Sequence, residues 1–385
     1  MKITEVKSIH LVYRDPDGQK REWSGGHFNS WSSVLILVIT DDGLTGLGEV
    51  YQGSCVSQAV PPFVDYFKQW LIGEDPLQIE YLWDKVYNLS AFWNRQGFPI
   101  GVLGAIDIAL YDLAGKAAKI PTYQLLGGAA HPAMPVYYSA GCTASQEELL
   151  RELREAIALG FHAYKWRVVN PEEAGIIMQK MREVAGDEFE IMVDAVQGSS
   201  PTPWPKSQVY RVAKALEPFR PAWLEEPFRI ENPEAYAELR RTVTYPIAGA
   251  ESVTSLAEVG RFLAEGSLDI IQPDLTMAGG FTLVKRMAAL AQAHHLNIAQ
   301  HCWGGGVSLM SNLHFGFSQP ACICVEHPMY KSPLRDELLG EPLKIMNGQV
   351  APPALPGLGV ELTDEVVQKY AATGSEHAGL VFEMN

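Results

Sequence analysis

Residues 247–274 contain one complete copy of the pattern that decides the fold, and they read IAGAESVTSLAEVGRFLAEGSLDIIQPD. A short apolar strand at 247–248 is followed by the capping box Ser255-x-x-Glu258, which predicts the start of a helix, and Gly266 predicts its end. A second apolar strand follows at 270–271. Strand, helix and strand in this order are typical of a βαβ unit with parallel strands.

The same alternation recurs along the chain from about residue 134. Eight short apolar strands are predicted, at 136–140, 161–169, 191–193, 222–224, 247–248, 270–271, 298–299 and 322–325. Helices fit the gaps between them, and Ser145-x-x-Glu148 is a second capping box. This number of alternating units predicts an α/β fold class in the form of a parallel barrel. Little room remains for a barrel helix after the eighth strand.

The first 125 residues or so follow a different pattern and indicate a separate domain. Residues 34–50 predict a β-hairpin with a turn at Asp41-Asp42-Gly43, and two helical stretches follow it. The glycine pair 127–128 marks a break, and a last helix is predicted near 364–371. The predicted domains are residues 1–128, with residues 355–385 packing back on them, and residues 129–354.

The composition limits the functions open to the chain. Lysine and arginine number 30 against 45 aspartates and glutamates, so the 385 residues carry a net charge of −15. A surface this acidic argues against nucleic acid and anionic membrane as partners. The five cysteines include no Cys-x-x-Cys pair, and neither a signal peptide nor a membrane span is recognised. We therefore predict a cytoplasmic protein.

A polar residue follows seven of the predicted strands, at intervals of 23 to 31 residues. These residues are Lys165, Asp194, Glu225, Glu251, Asp274, His301 and Glu326. The carboxyl ends of barrel strands meet at one mouth, where barrel active sites lie, so this spacing predicts a shared site. For any one of these residues, the simpler interpretation is that a charged residue begins a solvated loop. Seven such residues at regular spacing make that interpretation weaker.

Three of the seven residues, Asp194, Glu225 and Glu251, are carboxylates on consecutive strands. Carboxylates gathered without a partner raise one another's pKa unless a cation keeps them ionised. Ligands that are all oxygen favour Mg²⁺. The sequence therefore predicts a magnesium site on these three residues, and the alternative is a salt-bridge cluster with lysines of the barrel.

Four further segments are distinctive in combination, namely GLTGLGE at 43–49, AIDIALYD at 105–112, WLEEP at 223–227 and PLRDEL at 333–338. Together with the strand ends they resemble the enolase superfamily, in its mandelate racemase and muconate-lactonizing branch. The resemblance implies an N-terminal α+β capping domain over a modified TIM barrel, (β/α)₇β, with Mg²⁺ on the three carboxylates named above. Glu226 is expected to face the other side of its strand and is not assigned to the metal.

The resemblance also bears on the acid and base groups. His301 and Asp274 form the predicted general acid/base pair, because a carboxylate bonded to a histidine fixes its tautomer and raises its basicity. Glu326 matches an acid that donates a hydrogen bond to the enolate oxygen. That role needs the protonated form, which burial beside other carboxylates favours. The alternative is a salt bridge between Glu326 and Arg335.

Strand two reads Lys165-Trp166-Arg167, where the family often has Lys-x-Lys with the second lysine as a base. Arginine stays protonated, so Arg167 is predicted to bind substrate. Lys165 is predicted to neutralise the substrate carboxylate, or to act as a base if its pKa is depressed.

A single good base favours elimination over racemisation. The predicted reactions, in order, are dehydration of an acid sugar, opening of a sugar-acid lactone by a cycloisomerase, and racemisation or epimerisation. Loops 16–32 and 51–57 are predicted to select the substrate. The predicted contacts are Trp23, Trp31, Tyr51 and Trp303, with His27, Asn29 and Gln52 as further candidates. Rival classes are a barrel that binds without catalysis and a metal-dependent hydrolase, and the family implies a homo-oligomer.

Overall fold

Sixteen strands occur in the structure, a computed structural model that describes residues 1–373 and 379–384. In chain order they are β1 (Ile3–Arg14), β2 (Arg21–Trp23), β3 (Gly26–Phe28), β4 (Ser30–Thr40), β5 (Thr45–Val50), β6 (Met134–Ser139), β7 (Ala163–Arg167), β8 (Glu190–Asp194), β9 (Trp223–Glu225), β10 (Ile247–Gly249), β11 (Ile270–Ile271), β12 (Asn297–Gln300), β13 (Cys322–Pro328), β14 (Ile345–Met346), β15 (Gln349–Val350) and β16 (Val381–Phe382).

Strands β6 to β13 form the barrel. Each pairs in parallel with the next, and β13 pairs with β6 to close the sheet. A short hairpin of β14 and β15 joins β6 from outside the barrel. One inward residue from each of seven strands fills the interior below the mouth, namely Tyr137, Met192, Trp223, Ala248, Ile270, Ala299 and Cys324. The predicted α/β barrel is confirmed.

Fourteen α-helices were found in the described residues. They are α1 (Gly53–Val56), α2 (Val60–Phe67), α3 (Ile79–Ser90), α4 (Phe98–Ala118), α5 (Thr122–Leu125), α6 (Gln146–Ala158), α7 (Ala174–Ala185), α8 (Lys206–Leu216), α9 (Pro233–Arg240), α10 (Leu256–Glu265), α11 (Gly280–Ala293), α12 (Gly306–Ser318), α13 (Pro333–Asp336) and α14 (Asp364–Tyr370). Both predicted capping boxes cap helices, since Ser145 and Ser255 accept hydrogen bonds from the backbone N–H groups of Glu148 and Glu258.

The N-terminal region consists of the antiparallel sheet β1-β4-β5 covered by helices. The predicted hairpin is β4 and β5, whereas β1 is a strand that the sequence pattern does not reveal. Its register shifts between Ile3 and Glu5, so its buried residues do not alternate regularly. Helix α4 is long and apolar enough to cross a membrane, yet 89% of its most apolar window is buried inside the fold, where it packs on β5 and α11.

The end of the chain returns to the N-terminal region at two places. Ala371, next to α14, bridges to Leu11 of β1. Beyond it, β16 pairs antiparallel with β3, which itself pairs with β2. The C-terminal strand therefore completes a small sheet beside the barrel mouth. The domain boundaries at residues 128 and 354 stay a prediction.

We expect Gly26→Ala to detach the C-terminal strand. Gly26 has a φ of +154°, and a Cβ there would lie 1.9 Å from the carbonyl oxygen of Val381. The substitution should speed proteolytic release of the tail by about tenfold, because cleavage follows the population of the open form. Gly18→Ala is the control, since Gly18 also has a positive φ but nothing within 4 Å. Equal release from both variants would contradict this account.

Candidate active site

The seven strand-end residues meet at the barrel mouth, and all but Glu251 are buried. Lys165 lies at their centre. Its ammonium nitrogen is 2.7 Å from Glu225 Oε1, 2.9 Å from Glu326 Oε1 and 3.3 Å from Asp194 Oδ2. Burial alone would lower the pKa of Lys165, but these carboxylates raise it above its ordinary value. The depressed pKa that a lysine base needs is therefore not found.

Glu326 corrects the prediction of a protonated acid. Burial would raise its pKa, but Lys165, His301 and Arg167 hold it at about 2. Each of its oxygens accepts hydrogen bonds, at 2.5 Å from Ser139 Oγ and at 3.0 Å from the N–H of Cys302. The cause of the error is that cations, rather than carboxylates, dominate its surroundings.

The alternative salt bridge between Glu326 and Arg335 is also wrong. Arg335 pairs with Asp336 at 2.9 Å and donates hydrogen bonds to the backbone carbonyls of Pro328 and Tyr330.

His301 and Asp274 form a hydrogen-bonded pair, with 2.8 Å between Nδ1 and Oδ2. The other oxygen of Asp274 accepts from the N–H and hydroxyl of Thr276 and from Asn312 Nδ2, so the carboxylate is fixed. Nε2 of His301 lies 3.4 Å from Glu251 Oε2. Burial alone would lower the pKa of His301, but the surrounding carboxylates raise it to about 10.

The three predicted metal ligands differ in their surroundings. Asp194 and Glu251 line the cavity. Burial and the neighbouring carboxylates raise the pKa of Asp194 above its ordinary value, and they raise the pKa of Glu251 to about 7. Glu225 lies deeper, with one oxygen bonded to Lys165 and the other to Trp223 Nε1 at 2.9 Å.

These ligands fit a hard divalent cation by their chemistry, since they are oxygen donors whose mutual repulsion a cation relieves. In the part of the chain that the structure describes, no three His, Cys, Asp or Glu side chains are already arranged around an ion position. Lys165 instead supplies the compensating positive charge, so the salt-bridge cluster considered as the alternative is present in this structure.

A cavity of about 230 Å³ opens above these groups. Of the predicted substrate contacts, Trp23, Tyr51, Arg167 and Trp303 line it, and so does Gln52. The guanidinium carbon of Arg167 lies 4.0 Å from the ring centre of Trp303, and its Nη1 donates to the carbonyl of Ala140 at 2.7 Å.

Three of the candidate contacts do not reach this cavity. Trp31 packs behind Trp303, with 5.9 Å between ring centres, and lines a smaller neighbouring cavity. His27 and Asn29 are absent from the lining, and Asn29 is exposed.

Sequence reasoning missed several residues of the lining. They are Phe28, Cys55, Cys142, Met277, Leu380 and Phe382. None of them follows the strand-end pattern, and the last two reach the cavity only because β16 pairs with β3. For Phe28, the signal was its position inside the predicted specificity loop 16–32.

Glu49 is a second omission, although it ends the quoted segment 43–49. Its carboxylate is fully buried and accepts hydrogen bonds from Ser33 Oγ and from the N–H groups of Gly305 and Ser308, at 2.7 to 2.9 Å. These bonds connect β5 to the start of α12 and to the loop that carries Trp303. Glu49 therefore fixes the loop that carries Trp303 against the N-terminal region.

We expect Glu49→Gln to lower the free energy of unfolding by about 2 kcal/mol, because one oxygen that accepts backbone N–H groups is replaced by a donor. Ser33→Ala removes one donor of the same cluster and should cost less than about 1 kcal/mol. Urea denaturation measures both. A smaller effect for Glu49→Gln than for Ser33→Ala would refute the anchoring role.

Known proteins resemble this chain along nearly its whole length. A sequence model described as "Enolase C-terminal domain-like" matches residues 148–366, and the "Mandelate racemase / muconate lactonizing enzyme, N-terminal domain" matches residues 19–127. D-galactarolactone cycloisomerase of Agrobacterium fabrum is 31% identical, over 96% of this chain and 99% of the relative. D-galactonate dehydratase of Pectobacterium atrosepticum is 33% identical, over 95% and 94%. A solved racemase from Streptomyces coelicolor A3(2) with bound magnesium has a TM-score of 0.86 at 28% identity, over 96% of this chain and 100% of the other.

Proposed function

Because this chain belongs to the mandelate racemase and muconate lactonizing enzyme family of the enolase superfamily, we propose that it eliminates water from an acid sugar. The observation that carries this proposal is the His301–Asp274 pair. Among the described residues that line the cavity, His301 is the single histidine and no lysine occurs. Relatives named as a dehydratase and a lactone cycloisomerase support the general type of reaction.

Asp194, Glu225 and Glu251 are the residues we propose to hold Mg²⁺, supported by their chemistry and by the magnesium in the racemase named above. When bound, the ion would stabilise the charge that develops on the substrate carboxylate as its α-proton leaves. Glu225 would then release the oxygen that Lys165 occupies. Both Lys165 and Arg167 keep their positive charges. Arg167, which lines the cavity, would hold the substrate carboxylate, whereas Lys165 lies outside the lining and compensates Asp194 and Glu326.

His301 Nε2 is the atom that would remove the α-proton, while Asp274 holds Nδ1–H. The pKa of His301 is about 10 in part because the nearby carboxylate of Glu251 has no cation to compensate its charge. A cation held by Glu251 would compensate that charge, so the pKa of His301 would fall and Nε2 could give up its proton more readily. Asp274 keeps the ring oriented throughout, since Thr276 and Asn312 fix the other carboxylate oxygen.

The same imidazole would then return the proton to the departing β-hydroxyl. A single group serving both steps requires that the α-proton and the hydroxyl leave from one face of the substrate. Arg167 stands where a second base is common, and Lys165 stays protonated, so racemisation or epimerisation ranks third. Opening of a sugar-acid lactone needs only one base and is the second candidate.

Incubation of acid sugars and their lactones with the protein in D₂O and Mg²⁺ tests the proposal. Dehydration yields a 2-keto-3-deoxy acid with deuterium at C3, which NMR detects. Ring opening of a lactone alone would favour the cycloisomerase, and exchange at C2 with inversion would favour the racemase. The absence of any reaction across the panel would favour a binding protein and overturn the proposal.

The remaining parts of the proposal concern the setting of the enzyme. We infer a soluble, cytoplasmic homo-oligomer with a small carboxylate as its ligand and neither nucleic acid nor membrane as a partner. The class of metal-dependent hydrolases, which gather several histidine ligands, fits less well, since among the strand-end residues only His301 is a histidine. Light scattering of the purified protein measures the oligomeric state.

A further inference from the structure

The cavity is lined by two different groups of residues. Its charged groups all come from the carboxyl ends of barrel strands or the loops that follow them, namely Arg167, Asp194, Glu251 and His301. A second group is apolar and comes from β2, β3 and the C-terminal segment, while Tyr51, Gln52 and Cys55 also line the cavity from the N-terminal region. We call Trp23, Phe28, Leu380 and Phe382 the outer wall.

The outer wall is a continuous packed surface. Trp23 contacts both Phe28 and Phe382, with 6.2 Å and 6.0 Å between ring centres. Phe28 in turn contacts Trp303 at 6.1 Å. The pairing of Phe382 with Gly26 fixes the C-terminal strand at the edge of this surface.

The outer wall also lacks a partner for a second carboxylate. Among the described residues that line the cavity, Arg167 is the single lysine or arginine, and it already contacts Glu326 and Trp303. The polar side chains of Tyr51, Gln52, Ser199 and Ser252, which also line the cavity, are uncharged. A carboxylate enclosed without a cation loses its hydration without compensation, and a hydroxyl against aromatic rings loses its hydrogen bonds.

We propose that the outer wall selects a sugar acid with one carboxylate and a deoxy carbon at its distal end over a dicarboxylic sugar acid. This inference rests on the proposed function for the orientation of the substrate, since the reacting carboxylate lies at the charged side. The distal end of the substrate then contacts Trp23, Leu380 and Phe382. The volume of the cavity, that of roughly eight water molecules, suits one sugar unit.

Three acids of the same configuration test the proposal in Mg²⁺, namely a hexonate, its 6-deoxy analogue and the corresponding hexarate. We expect kcat/KM for the 6-deoxy acid to exceed that for the hexarate by at least about 100-fold. The second carboxylate of the hexarate would be enclosed by the apolar outer wall without a cation, whereas the methyl group of the 6-deoxy acid fits there. Preference for the hexarate would overturn the proposal.

Leu380→Lys tests the position of the outer wall. A lysine there places a cation beside the distal end and should raise the hexarate to 6-deoxy ratio of kcat/KM by about tenfold. Val381→Lys is the matched control, because Val381 is the next residue but does not line the cavity. An equal ratio in the two variants would overturn the placement.

Failure of the proposed function has a different signature. If none of the acids reacts, the proposed elimination is wrong, but calorimetric binding of the same acids in Mg²⁺ still ranks them. Tighter binding of the 6-deoxy acid than of the hexarate then supports the outer wall, and tighter binding of the hexarate overturns it.

Discussion

His301→Asn should lower kcat by about 10⁴-fold on the true substrate while changing Mg²⁺ affinity less than tenfold. General acid and base groups contribute about 10²- to 10⁴-fold per transfer, and the proposed mechanism uses this imidazole for two. Asparagine keeps a hydrogen-bonding group toward Asp274 but cannot take up a proton. Steady-state kinetics and calorimetry with Mg²⁺ measure the two quantities.

His294→Asn is the control for this experiment. His294 lies at the C-terminal end of α11 and is exposed, so the same chemical change should leave kcat unaltered. Full activity of His301→Asn would refute the acid/base role. Loss of metal binding together with activity would instead show that the substitution disturbs Glu251, which lies 3.4 Å from the imidazole.

The position of the site could be predicted from the sequence because barrel geometry is periodic. Strand ends separated by one βα unit must meet at one mouth, so residues as distant as Lys165 and Glu326 were placed together without any contact information. The Asp274–His301 bond is a case of this kind. The two residues end neighbouring strands, and parallel pairing of β11 and β12 brings them within hydrogen-bond distance.

The charge states of the site could not be predicted in the same way. Glu326 was expected to lie among carboxylates. Instead, the side chain of Lys165 on β7 lies between Glu326 and Glu225 and forms ion pairs with both. Which partner a buried carboxylate faces depends on side-chain conformations across four strands, and strand spacing does not determine these. The same limit applies to Trp31, which packs behind Trp303.

Contacts between the two ends of the chain were equally hidden. The two-residue strand β16 pairs with β3 more than 350 residues away, and short strands carry no alternation to recognise. Glu49 looked like the end of a hairpin strand, although its partners Gly305 and Ser308 belong to the barrel. Both features depend on how the N-terminal region is seated on the barrel mouth.

Glu225→Gln should weaken Mg²⁺ binding by at least about 100-fold, because loss of a direct ligand should cost no less than the 10- to 100-fold that loss of an outer partner costs. Glutamine keeps the size of the side chain but removes the charge that a divalent cation requires. Lys165 keeps its contacts with Asp194 and Glu326, so the barrel should remain folded. Calorimetry with Mg²⁺ measures the affinity, and the increase in melting temperature on adding the ion gives a second measurement.

Glu226→Gln provides the matched control, because Glu226 is the next residue along the chain after the end of β9. Glu226 has a φ of +41°, and its carboxylate lies against Gly198, away from Lys165. Burial, with Glu251 and Asp194 nearby, raises the pKa of Glu226 well above its ordinary value, and glutamine keeps the size of this side chain. Magnesium should therefore bind and stabilise this variant as it does the unmodified chain. The choice of Glu225 over Glu226 as a ligand rests on the side of β9 that each residue faces. If Glu226→Gln lost the metal and Glu225→Gln kept it, the predicted ligand set would be wrong.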